Sequence, residues 1–429
     1  MHFKKTTFKN GLRLITAPMA DTNTVTVIVA VAAGSKYETK GTNGLSHFLE
    51  HMMFKGTKKR PKTKDIAGSL DAVGGEYNAF TSQESTAYFA KVDKEHLDLA
   101  VDVVSDIYLN SKLDTREIER ERGVILQEIN MYEDTPMLAV QEEFEHLLWG
   151  DQPAGWKVIG TKENIARVGR KDFVGYRTKF YNAKNTVVCI CGNFGERGES
   201  GVIRKIGKVF AKMRRGGVNK KQKTIERQSK PALKARHKKT DQAHLVLGFR
   251  GYDMFHPDRF ALALLANILG GTMSSRLFLA VRERLGLAYY VSASSEEYSD
   301  CGYFSVRAGV DTNREKIEKT LKTILREIGR MRERGATGNE LQKAKDNMRG
   351  KMALSLESSD EVAGYLAGQE LARREIKRPE EILRRIDKVG KSDILRVARE
   401  VFQSENLNLV MIGPVEDGKF LEKILKIHE

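Results

Sequence analysis

The segment GLSHFLEHMMFKGT (44–57) places His47 and His51 four residues apart, with Glu50 immediately before the second histidine. On a helix, residues i and i+4 share a face, so both imidazoles can be offered to one ion while Glu50 reaches a water held there. An HxxEH pattern arises by accident in roughly one chain in a hundred of this size, and two ligands do not complete a site. A catalytic zinc takes three protein ligands and keeps one position open for water. The segment DTREIERERGVILQEINMYED (114–134) is the best source of a third. It reads as a helix with Glu117, Glu121 and Glu128 on one face. Glu117 has arginines nearby to pair with, whereas Glu128 lies among Ile125, Leu126 and Ile129. A carboxylate in apolar surroundings is costly unless it is paired or bound to a cation.

Two helices must therefore position this chemistry. Thr42 or Asn43 is the expected N-cap of the first and Gly56 its stop; Asp114 or Thr115 should cap the second. The elements around them recur. VGRKDFVGYRTKFYNAKNTVVCICGN (168–193) returns without a gap as VGKSDILRVAREVFQSENLNLVMIGP (389–414), matching Asp172 with Asp393, Asn185 with Asn406 and Gly192 with Gly413. The apolar run at 25–33 has its counterpart at 244–252, and MMFKGT (52–57) matches NILGGT (267–272). The expected fold class is α+β, with two homologous domains, each a mixed and largely antiparallel sheet with helices packed on it. Their expected extents are 1–215 and 232–429, with a linker at 216–231. Matching Thr57 to Thr272 sets Leu262, Leu265 and Ala266 opposite His47, Glu50 and His51. Matching Glu117 to Glu340 sets Ala344 and Lys351 opposite Glu121 and Glu128. Packing of the repeat thus does without the histidines and acids, which assigns them to function in the first copy.

Composition excludes several classes. The chain has 40% apolar and 30% charged residues, with 8 prolines, as a folded globular protein does. No continuous apolar run marks the first twenty residues as a secretory signal, and VTVIVAVAA (25–33) reads as a buried strand, too short for a membrane span. Cys189, Cys191 and Cys301 are too few for a disulfide framework and read as buried thiols in a reducing cytoplasm, the expected location. The net charge of +16 raises nucleic acid as a partner, but fifteen Lys/Arg with one Glu lie between Arg204 and Lys239. That run reads as a solvated linker, and no recognition motif accompanies it, so neither nucleic acid nor membrane is an expected partner.

HFLEH, 76 intervening residues and then Glu128 in ERGVILQEI together resemble the inverted zinc motif of the pitrilysin-type (M16) metallopeptidases. The resemblance extends over the chain through VAAGSKYET (31–39), NAFTSQESTAYFAKV (78–92) and RERLGLAYYVSA (282–293). Within the family, the two-domain layout is similar to that of the mitochondrial processing peptidase β subunit and its bacterial single-chain relatives. The resemblance implies one Zn²⁺ per chain on His47, His51 and Glu128, Glu50 as general base, and Glu121 as an acid beside the first histidine. It implies a peptide substrate added as a strand along Asn78, Ala79, Phe80 and Thr81. It also implies that Arg282 and Tyr289 hold substrate carbonyls, supplied in trans by a homodimer partner whose half-shell closes a chamber. A noncatalytic assembly subunit of the same fold is the alternative; the intact set of His47, Glu50, His51 and Glu128 favours the enzyme.

Overall fold

The computed structural model describes residues 1–416 and 418–425. Its strands are β1 (Lys4–Thr7), β2 (Arg13–Pro18), β3 (Thr24–Val31), β4 (Glu76–Thr81), β5 (Thr86–Asp93), β6 (Thr186–Gly192), β7 (Ala232–His237), β8 (Ala243–Arg250), β9 (Ala288–Glu297), β10 (Gly302–Val310) and β11 (Asn408–Gly413). They form a six-stranded sheet, β1-β2-β6-β3-β5-β4, and a five-stranded sheet, β7-β11-β8-β10-β9. β2 and β6 are parallel, as are β7 and β11, and every other pairing is antiparallel. Apart from β1 the two orders coincide, so the duplication read from the sequence is a duplication of topology. Asp172 and Asp393 repeat one local device: each accepts a hydrogen bond from the backbone N–H of the glycine three residues earlier, at 2.9 and 2.8 Å, starting equivalent helices. The run at 25–33 supplies the buried strand β3.

Each half of the chain, however, gives a helix to the other half's unit. The first compact unit comprises 1–129, 156–222 and 351–379; the second comprises 130–155, 223–350 and 380–429. The continuous division expected from the sequence therefore differs from the compact units. In the first, helix Ser359–Arg373 lays Val362, Ala363, Leu366 and Ala367 against Ile15, Ile28, Ala87, Val187, Cys189 and Cys191. The Ser359 hydroxyl meets those of Thr24 and Thr26 at 3.1 and 2.8 Å, and Asp360 pairs with Lys91 at 2.9 Å. In the second, helix Pro136–Trp149 packs Ala139, Val140, Phe144 and Leu148 on Val246, Tyr303, Val410 and Ile412. A sheet with an apolar inner face on both sides needs such a cover. Burial of each Val or Leu side chain contributes up to about 1.5–3 kcal/mol.

The three cysteines are buried and form no disulfide among the described residues. The basic run is irregular and mostly exposed at 216–231, yet it is tied down along its length. Asn219 donates to Ala32 O and Phe180 O in the first unit, and Lys221 pairs with Glu84 at 3.4 Å. In the second, Thr224 donates to Asp300 through its backbone N–H and its hydroxyl. Polar side chains between the lysines pin the backbone, which a charge count does not reveal. Among the described residues no helix is long and apolar enough to cross a membrane.

Candidate metal centre

His47, Glu50 and His51 sit on helix Leu45–Met53 in the first unit. The helix buries Leu45, Phe48, Leu49, Met52 and Met53, which leaves the two histidines and the glutamate on its half-open face. Neither Thr42 nor Asn43 caps it. The N-cap is Gly44, in the left-handed region at φ 98°, and the first amides are satisfied from outside the helix by Glu38. At its other end, Ser111 Oγ donates to Met52 O at 3.1 Å. Thr57 and Arg60 both donate to the buried Asp106, at 2.6 and 3.0 Å. Helix Thr115–Asp134 carries Glu121 and Glu128, with Ile118, Ile125 and Ile129 buried, and Asp114 caps it as expected by accepting from Arg116 N at 2.9 Å.

A second glycine is required where the first helix begins. Gly160 has φ +84°, and a Cβ there would lie 2.5 Å from Asn43 O and 2.6 Å from Gly44 Cα. Gly160→Ala should cost about 2 kcal/mol or more, from the left-handed backbone together with the clash. Urea denaturation checks this; a loss below about 0.5 kcal/mol, the range of an uncoupled surface change, would contradict the close approach.

The three expected ligands converge. His47 Nε2 lies 3.7 Å from Glu128 Oε1, and His51 Nε2 lies 3.7 Å from Glu128 Oε2. One ligand atom from each residue fits within 4.8 Å of the others. Tetrahedral zinc with bonds of about 2.0–2.1 Å sets its ligands roughly 3.4 Å apart, so the three groups would draw together to hold an ion. The protonation states suit a metal. Burial, with His51 adjacent, pushes His47 down to about 3, leaving a neutral imidazole with a free lone pair. Burial pushes Glu128 up, as does the charge of Glu121, against the pull of His51. A carboxylate held there without a cation is disfavoured, so the donor set fits a divalent ion of zinc's preferences.

Glu121 is placed differently from expectation. It stands beside the second histidine: Oε1 meets His51 Nδ1 at 2.9 Å, and Oε2 takes an ion pair from Lys55 at 2.6 Å. Glu121 lies two turns before Glu128 and His51 one turn after His47, so the lower acid meets the farther histidine. Burial would raise its pKa, but the bonds from His51 and Lys55 outweigh that and hold it below the usual range. An ionised Glu121 fixes a proton on His51 Nδ1 and turns Nε2 to the metal position. Sequence reasoning missed Lys55, whose only signal was its place one turn beyond His51.

Glu50 accepts from the Thr81 hydroxyl at 2.5 Å; burial raises its pKa, opposed by Thr81 and His51, with Glu128 adding to the rise. Thr81 ends β4, the outer strand of its sheet, and Asn78, Ala79 and Phe80 precede it there, with Phe80 half exposed. Among the described residues no strand pairs with the outer edge of β4. In the second unit, Arg282 and Tyr289 come together, the guanidinium 5.9 Å from the tyrosine ring. Both are exposed, and Arg282 belongs to a π-helical run, Phe278–Glu283. The counterparts of the site in that unit, Leu262, Leu265, Ala266 and Ala344, are all buried, while Lys351 is exposed.

The model of the insulinase family of peptidases, M16, matches residues 13–162, and that of the peptidase M16 inactive domain matches 167–348. An uncharacterised zinc protease of Bacillus subtilis, YmxG, is 34% identical over 411 residues, covering 96% of this chain and 98% of its own. One from Streptomyces coelicolor is 34% identical over 420 residues, covering 96% and 90%. The crystal structure of a protease from Helicobacter pylori superposes with a TM-score of 0.89 at 26% identity, over 96% of this chain and 99% of that one. A peptidase M16 inactive domain from Pseudomonas fluorescens gives 0.88 at 18% identity, over 97% and 98%, and shows a shared fold.

Proposed function

The chain belongs to the M16 insulinase family of peptidases, and we propose that it is a zinc-dependent endopeptidase hydrolysing unfolded peptides laid along β4. The observation that carries this reading is the convergence of His47, His51 and Glu128 beside a Glu50 that Thr81 ties to the strand. When bound, zinc supplies a Lewis acid that polarises the scissile carbonyl and acidifies water. Glu50 takes a proton from the attacking water as its oxygen bonds to the carbonyl carbon. It then delivers that proton to the amine nitrogen as the C–N bond breaks. A carboxyl whose proton affinity burial has raised suits both transfers. Glu121 acts through His51, as a positioning residue.

The outer edge of β4 offers backbone donors and acceptors to an extended peptide, which gives affinity with little sequence preference. Asn78, Ala79, Phe80 and Thr81 are the residues that would pair. A folded domain cannot present such a strand. An unstructured peptide should therefore be cut at internal bonds while a stably folded domain containing the same segment stays intact, as mass spectrometry of the products would show. Equal cleavage of both would contradict strand addition.

In the same reading, Arg282 and Tyr289 hold substrate carbonyls and stabilise the oxyanion, and a second copy of the chain supplies them in a homodimer enclosing a chamber. Glu50→Gln and Arg282→Ala should each be inactive alone and recover activity when mixed, because the mixed dimer joins an intact zinc site to an intact arginine. Mixed dimers verified by size and mass that stay inactive would contradict supply in trans.

A further inference from the structure

One buried acid of the first unit has no part in the chemistry above. Glu38 lies between β3 and helix Leu45–Met53, is 6% exposed, and takes four hydrogen bonds, all from the start of that helix. Oε2 accepts from Gly44 N at 2.9 Å and from the Asn43 side-chain amide at 3.1 Å. Oε1 accepts from Ser46 N at 2.6 Å and from the Ser46 hydroxyl. The loop that carries Glu38 is itself docked: Ser35 N donates to Ser82 O at 3.4 Å and Lys36 N to Gln83 O at 2.8 Å, in the turn after β4. Lys36 Nζ pairs with Glu84 there at 3.2 Å.

We propose that Glu38 is a positioning residue for the metal centre: seated on the β4–β5 turn through residues 35 and 36, it holds the first turn of helix Leu45–Met53 and sets where His47 and His51 stand relative to Glu128. This rests on the metal reading of those three residues and not on hydrolysis. The helix has nine residues and no side-chain cap of its own, so its first turn has little intrinsic rigidity. The Glu38 carboxyl supplies the missing acceptors at the start of the helix, and those hydrogen bonds oppose the rise in its pKa that burial causes. His47 directly follows Ser46, so a first turn that loosens carries the ligand with it. The same loop also joins the metal helix to the strand that holds Glu50 through Thr81.

Each carboxylate oxygen takes one backbone N–H. In Glu38→Gln, therefore, either orientation of the amide turns its NH₂ toward a backbone donor, a buried conflict the chain can relieve only by moving the turn. Ser46→Ala removes one of the four bonds and leaves the rest. Chelator competition measures zinc affinity in both variants, alongside kcat and KM on a quenched peptide and thermal unfolding of the metal-free proteins. Glu38→Gln should raise the zinc Kd about tenfold and Ser46→Ala about threefold, at or below the range for groups that orient metal ligands. At saturating zinc, kcat of Glu38→Gln should fall while KM holds. A lower Tm with zinc affinity unchanged in both variants would mean that Glu38 only stabilises the fold, and would overturn the proposal. Should Glu38→Gln fail to fold, Ser46→Ala decides: unchanged zinc affinity there overturns it. Wild-type protein that binds zinc but cleaves nothing would refute the peptidase reading and leave this one to stand on its Kd values.

Discussion

Glu50→Gln should retain one zinc per chain and lose peptide hydrolysis by about 10³-fold, within the range that a positioned acid–base group contributes. The substitution preserves shape, and an amide oxygen can still accept from the Thr81 hydroxyl. It removes only the capacity to take a proton from water and return it to the departing amine. Because His47, His51 and Glu128 form the metal cluster without Glu50, zinc content should not change. The two readings, metal per chain and kcat on a quenched peptide, must be taken on one preparation. A variant that cleaves at near-normal rate removes Glu50 as the base; one that loses zinc makes it a ligand.

Glu128→Gln should abolish hydrolysis by a different route, through the metal. The revealing quantity is stability with and without zinc. Burial and the nearby Glu121 disfavour the Glu128 carboxylate in the metal-free protein. Neutralising it should therefore leave the metal-free Tm unchanged or slightly higher. With zinc at about 1,000 times its Kd, the wild type should gain roughly 4 kcal/mol of stability from binding alone. The variant should gain little. Scanning calorimetry of both proteins, with and without zinc, checks this. A metal-free variant much less stable than wild type would make Glu128 a structural residue, and an unchanged zinc response would remove it from the ligand set.

Much of this site was legible because each part left a local mark. His47 and His51 repeat at helical spacing, and Glu128 is an acid among isoleucines. The repeat supplied a control, since Leu262, Leu265, Ala266 and Ala344 are buried where the first copy carries His47, Glu50, His51 and Glu121. The missing parts act across distance. Nothing in the residues around Glu38 shows that it caps a helix starting at Leu45, because the loop must fold back to make the contact. The family resemblance implies Glu121 beside the first histidine, and periodicity cannot correct it, because it gives a face but not the stagger between two helices. The exchange of helices Pro136–Trp149 and Ser359–Arg373 between the units was invisible for the same reason: an apolar stripe states that a helix needs a cover, not which sheet provides it. In the basic run, Asn219 and Thr224 pin the backbone at positions that the surrounding lysines obscure.

One titration tests the zinc-peptidase reading most directly. Protein stripped with a chelator and dialysed free of it is titrated with zinc while cleavage of an unstructured quenched peptide is followed. Activity should be absent at the start, rise in proportion to added zinc, and level off at one equivalent per chain. A stripped protein that cleaves without metal, or one that takes up a full equivalent of zinc and still cleaves nothing, would contradict it.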